Sequence, residues 1–128
     1  MRILLDTQLV LWAITGDRQL GSKASQLLID ADNQIYVSAA SVWEVAIKHR
    51  KNADVMPISA DIFVDACTES GFNWLDISVL HTRATSRLPP LHADPFDRLL
   101  LAQAMQEPMI FLTRDRQISA YSELVQLV

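Results

Sequence analysis

Apolar and polar positions follow two rhythms along this chain. Short, dense apolar runs occur in "RILLD" (2–6), "QIYVS" (34–38), within "GFNWLDIS" (71–78) and in "MIFLT" (109–113). Their length and their lack of alternation predict strands buried on both faces of a sheet. Between them the spacing turns helical. "QLVLWAI" predicts a short helix closed by "TGD", and "GSKASQLLIDAD" (21–32) repeats Ala24, Leu27, Leu28 and Ala31 on one side. Ser38 can cap a helix through "AASVWEVAIKHR", and "SADIFVDACTES" (59–70) sets Ile62, Phe63, Ala66 and Cys67 on one face. Ser78 can cap a short helix through Ala84. "HADPFDRLLLAQA" (92–104) predicts a further helix that ends near Glu107-Pro108, since proline stops helices. "RDRQISAYS" predicts a turn and a short helix, "ELVQLV" a last edge strand, and "NADVMP" and "SRLPPLHA" are loops.

Strands that alternate with helices imply a mostly parallel sheet covered on both sides. The expected fold is α/β: a three-layer α/β/α sandwich with four to five strands. No linker, internal repeat or change of composition divides the chain, so residues 1–128 are expected to form one domain.

Composition narrows the function classes. Half of the residues are hydrophobic and only three are glycine, enough for a core and unlike a disordered chain. No apolar run is long enough for a bilayer, and "MRILLDTQ" meets an Asp too early for a secretory signal, so a cytoplasmic protein without membrane contact is expected. Cys67, the single cysteine, reads as a small buried hydrophobe. His49, His81 and His92 lack a paired ligand spacing, which argues against zinc. A net charge of −4 disfavours a purely electrostatic grip on nucleic acid. It leaves open a nuclease whose carboxylates load cations that then meet phosphates.

The acidic residues converge once the topology is drawn. Crossover helices run against the strands, so each helix starts at the edge where strands end. Asp6 ends the first strand, Glu44 lies in the first two turns after the second, Asp97 opens the helix before the fourth, and Asp115 follows the fourth in "LTRD". That edge is where open α/β sheets bind ligands. Each residue also has a local explanation. Asp6 suits a turn or a cap, Asp115 suits a turn, Asp94 suits an N-cap before Pro95, and Asp97 suits the positive end of the helix dipole. Glu44 and Lys48 have the spacing of a surface ion pair, although the neighbours of Glu44 in "SVWEVAI" are mostly apolar. Four facing carboxylates repel one another, and a divalent cation is the economical offset. Mg²⁺ or Mn²⁺ suits oxygen ligands, water and phosphate. There is no nucleophile elbow, Gly-rich phosphate loop or Cys–His pairing, so metal-activated water attacking a phosphodiester is the expected chemistry. One ion or two remain open.

"LLDTQLVLW", "SAASVWEVAIK", "HADPFDRLLLAQA" and "FLTRD", in this order and spacing, resemble the PIN domain family, and within it the VapC-type toxins of type II toxin–antitoxin systems. The likeness covers nearly the whole chain and rests on the ordered set rather than on any one motif. It implies a Mg²⁺- or Mn²⁺-dependent endoribonuclease whose acidic set is Asp6, Glu44, Asp97 and Asp115, with Asp94 as a cap, an accessory ligand or both. It also implies an RNA substrate, a homodimer and a cognate antitoxin. The alternative is a non-catalytic PIN-like binding module.

Other residues fit around this reading. Arg98 and Arg114 are the basic residues best placed to guide a phosphate backbone, with Lys48, Arg50, Lys51, Arg83 and Arg87 further off. Thr7 can hold the Asp6 carboxylate or a water, or merely cap its helix. His92 can contact RNA, and Trp74 reads as core. The segments around Leu9–Ile14 and Val42–Ile47 are apolar on most sides, which predicts either a deeper core or, taken together, a dimer or antitoxin surface beyond it. A haloacid-dehalogenase-like phosphatase needs a second Asp two residues after the first, where this chain has Gln8. A receiver domain needs a lysine at a late strand end, which "FLTRD" does not offer.

Overall fold

The apolar runs pair side by side into one parallel sheet. The computed structural model describes residues 1–90 and 94–128, so His92 lies outside the described residues. Strands β1 (Arg2–Leu5), β2 (Gln34–Ser38), β3 (Asn73–Leu75), β4 (Ile110–Thr113) and β5 (Val125–Leu127) assemble in the order β3-β2-β1-β4-β5. Every pairing is parallel. The last run thus adds a parallel edge strand, and the expected three-layer α/β/α architecture is present.

β1 lies at the centre, with Ile3 opposite both Ile35 and Ile110. Successive side chains of a strand point to opposite faces. Ile3 and Leu5 therefore join Val37 and Leu112 in one core layer, while Leu4 joins Phe111 in the other. The first layer is closed by α1 (Thr7–Thr15), α2 (Gly21–Ile29) and α4 (Ala60–Glu69), through Leu9, Val10, Ala24, Phe63 and Cys67. The second is closed by α6 (Pro95–Gln106) and α7 (Arg116–Ser119), through Leu100, Leu101, Ala104 and Ile118. α5 (Val79–Ala84) packs against α6. α3 (Ala39–Lys51) leaves the end of β2 and contributes Ala40 to one layer and Val45 to the other.

The helix starts follow local chemistry. Asp6, Ser38, Ser78 and Asp94 each sit at an N-cap, and each side chain accepts from a free backbone N–H of the first turn. α1 stops at Gly16, whose φ of 67° is left-handed, a conformation glycine adopts without a Cβ clash.

Three local expectations need correction. The segment 21–32 is helical only to Ile29. The Asp30 carboxylate accepts from the Asp32 N–H and its carbonyl from the Asn33 N–H, a local turn that competes with the next helical turn and leaves Ala31 exposed outside it. Ile62 is exposed, because α4 packs against α1 and α3 through Phe63 and Cys67, and Ile62 falls on the solvent side of that narrow seam. Two short 3₁₀ turns, Arg18–Leu20 and Thr85–Arg87, tighten stretches expected to be loop or helix end. Among the described residues no helix is long and apolar enough to cross a membrane.

Candidate active site

The carboxyl edge of the sheet carries a cavity of about 200 Å³ lined by Asp6, Thr7, Gln8, Leu11, Glu44, Lys48, Met56, Asp94 and Asp97. Four of these are carboxylates, delivered by β1, α3 and the start of α6. A larger groove of about 460 Å³ lies between α3, α4 and β3, lined by Ala39, Val42, Trp43, Ala46, Val64, Trp74 and Asp76. Its single ionisable group makes it a poor place for hydrolysis, so the smaller, acidic cavity is the candidate active site.

Asp6 is fixed from two sides. The Thr113 hydroxyl donates to its Oδ2 at 2.6 Å, and the Gln8 N–H donates to its Oδ1 at 3.3 Å. Burial pushes the Asp6 carboxyl above its ordinary value. The two hydrogen bonds pull it back in part, while the charges of Glu44 and Asp115 push it up further.

Glu44 is 5% exposed although it lies on a helix in the outer part of the fold. Its Oε2 accepts from the Lys48 ammonium, and its buried Oε1 meets no donor among the described residues. Burial works against the Lys48 charge. The hydrogen bond to Glu44 and the charges of Glu44, Asp94 and Asp97 outweigh it, and hold the ammonium above its ordinary value.

Asp94 caps α6, its Oδ1 accepting from the Phe96 and Asp97 N–H groups at 2.9 and 3.2 Å. Asp97 follows in the first turn and faces the same cavity. Asp115 lies outside the cavity lining. Its Oδ1 accepts from Gln117 N at 2.9 Å as the cap of α7, yet its charge still acts on Asp6. The edge therefore gathers Asp6, Glu44, Asp94 and Asp97 around one hollow, with Asp115 behind Asp6. Among the described residues, no three carboxylates, imidazoles or thiols stand in a set that holds one ion as they are.

Thr7 turns from the Asp6 carboxylate to the Ser41 hydroxyl, 2.7 Å away, a buried bond that ties α1 to α3. Arg98 donates to the carbonyls of Pro89, Thr85 and Leu88 at 2.8, 3.0 and 3.2 Å, so its guanidinium braces the Pro-rich loop. Arg114 donates to Leu20 O at 3.1 Å and lies 4.8 Å over the Trp12 ring, on the far side of α1. The residue that sequence reasoning missed is Thr113. It ends β4 two residues before Asp115, and a hydroxyl at a strand end on this edge was the available signal.

The PIN domain family model matches residues 3–124. No curated protein matches the chain significantly in sequence. Among solved structures, the fold is similar to that of VapBC2 from Rickettsia felis bound to a DNA fragment from its promoter, with a TM-score of 0.71 at 18% identity over 100% of this chain and 98% of the other. It is also similar to DNA-bound VapBC from Salmonella typhimurium, with a TM-score of 0.70 at 12% identity over 100% of this chain and 97% of the other. A domain of a functionally unknown protein from Methanocaldococcus jannaschii aligns with a TM-score of 0.58 at 16% identity, covering 99% of this chain and 90% of the other. With a family match over nearly its full length, the chain belongs to the PIN domain family.

Proposed function

We propose that this protein is a divalent-metal-dependent endoribonuclease, the toxin of a type II toxin–antitoxin pair. PIN domains are generally nucleases, and the observation that carries the reading here is Glu44. A carboxylate 5% exposed, with one oxygen unpartnered, facing a cavity shared with Asp6, Asp94 and Asp97, is suited to a hard cation with oxygen ligands. Asp6, Glu44 and Asp97, with Asp115 beside them, would hold Mg²⁺ or Mn²⁺. Such an ion supplies an activated water and neutralises charge on the phosphate.

The chain's own groups do the rest. Thr113 and the Gln8 N–H fix the orientation of the Asp6 carboxylate, so that it meets its ligand without a search over rotamers. The Thr7–Ser41 bond fixes the distance between the helices that carry Asp6 and Glu44. Asp94, an accessory acid, holds the mouth of α6 and with it the position of Asp97. Arg98 and Arg114 serve the substrate indirectly, by bracing the loop and the α1 wall beside the cavity, or directly if RNA displaces their present partners.

An antitoxin partner and a homodimer belong to the same proposal. Two of the similar structures are VapBC complexes. Trp43, 59% exposed and packed edge-on to Phe96, and Ile47 leave apolar surface on α3 for partners to cover. A cytoplasmic location, with RNA as substrate and no membrane role, completes it.

RNA cleavage by the purified protein in Mg²⁺, Mn²⁺ and EDTA tests the activity, with Asp6→Asn and Asp97→Asn beside the wild type. Cleavage that needs the ion and is lost in both variants is the expected result. One other reading is a non-catalytic PIN-like binding module, since no three carboxylates, imidazoles or thiols among the described residues form a ligand cluster as they stand. Failure of the wild type both to cleave RNA and to bind Mn²⁺ would establish that one instead.

A further inference from the structure

We propose that Lys48 is the resident counter-ion of the ion-free site, so that its ammonium and a divalent cation compete for the Glu44 carboxylate. The inference rests on the metal-dependent reading and assigns a positioning role to one residue within it.

Lys48 follows Glu44 by one helical turn, the spacing of a common surface pair. In a surface pair both partners stay in water. Here the Glu44 side chain is 7% exposed and the Lys48 side chain 48%, so the lysine reaches inward to the acid. The ammonium lines the same cavity as Asp6, Asp94 and Asp97, and the charges of Asp94 and Asp97 act on it as well as that of Glu44. It is the one cationic side chain among the described residues lining that cavity. Buried carboxylates without a cation repel each other, and the lysine relieves part of that repulsion. Glu44 Oε1 is buried without a donor, so the ammonium on Oε2 is the one charge partner this carboxylate has among the described residues. A ligand set closed on one ion then requires Glu44 to exchange the ammonium for the ion.

The test is Mn²⁺ binding to the full chain, measured by the electron paramagnetic resonance of free ion and by calorimetry. Wild type, Lys48→Met and Lys48→Arg are compared at low and high salt. Removing a unit charge a few ångströms from the ion should tighten Mn²⁺ binding about tenfold in Lys48→Met. The gap should narrow at high salt. Lys48→Arg, which restores the charge, should return the affinity towards that of the wild type. In EDTA, Lys48→Met should melt below the wild type, and saturating Mn²⁺ should close that difference. Equal or weaker Mn²⁺ affinity in Lys48→Met overturns the proposal, and a lower melting temperature at every Mn²⁺ concentration with unchanged affinity reduces the lysine to a structural pair. If none of the three proteins binds Mn²⁺, the metal-dependent reading itself falls, and the competition with it.

Discussion

Asp6 carries opposing demands in a single side chain. Burial raises its carboxyl above the ordinary value of 3.8, so the folded protein binds that proton more tightly than the unfolded chain. The resulting stability is complete below the unfolded value and is lost as the pH rises through the folded one. At neutral pH the ion-free protein therefore holds an unfavourable charge, and Asp6→Asn removes it. Calorimetry in EDTA at pH 7 should find Asp6→Asn melting about 2–5 °C above the wild type, a gap that closes as the pH falls towards 4. A lower melting temperature for the variant at pH 7 would mean that the Thr113 hydrogen bond outweighs burial. That bond has its own test. Thr113→Val keeps the shape and deletes the donor, and should destabilise the fold by about 1 kcal/mol while weakening Mn²⁺ binding, with Thr113→Ser restoring both. The sequence disclosed Asp6, Glu44, Asp97 and Asp115 as candidates because each has a place in the strand–helix rhythm. It did not disclose Thr113 to Asp6 or Thr7 to Ser41, since these bonds join residues far apart in the chain, and a hydroxyl's place at a strand or helix end does not name its partner.

Elements were most legible where they begin. Serine or aspartate before an apolar period marks a free N–H to be capped, and Ser38, Ser78 and Asp94 all sit there. Ends were harder. α2 stops at Ile29 because Asp30 makes a tighter local turn, a choice that apolar spacing does not report. The apolar wrapping of α3 was legible too, and the structure divides it: Val45 is in the core while Trp43 and Ile47 reach solvent. The start of α6 separates capping from ligation. Asp94→Ala removes both cap and charge, and should lower stability by about 1 kcal/mol. Asp94→Asn keeps a good cap, so its denaturation midpoint should match that of the wild type. Its Mn²⁺ affinity should nevertheless fall about threefold, because the lost charge faces the cavity. Equal Mn²⁺ affinity in Asp94→Asn would leave Asp94 a cap and nothing more.

At the scale of the molecule, topology gathers the site. β1 and β4 are neighbours, so Asp6 at the end of one and Asp115 after the other stand on the same edge, joined through Thr113. α3 and α6 start from that edge and bring Glu44 and Asp97 to it. The sequence revealed this convergence without side-chain geometry, because parallel strands leave their ends no other place to meet. The fold thereby concentrates like charge on one edge of a chain whose net charge is already −4. An ion that binds only the folded state should then act on the whole protein. At a free Mn²⁺ concentration a hundredfold above its dissociation constant, the wild type should gain about 2.7 kcal/mol. Asp6→Asn should gain little, having lost a ligand. The two melting temperatures should therefore cross: the variant higher in EDTA, the wild type higher in Mn²⁺. A carboxylate that merely capped a helix would give the same order under both conditions. Crossing requires that the residue destabilising the empty fold be the one that binds the ion, which ties the strain at this edge to its use.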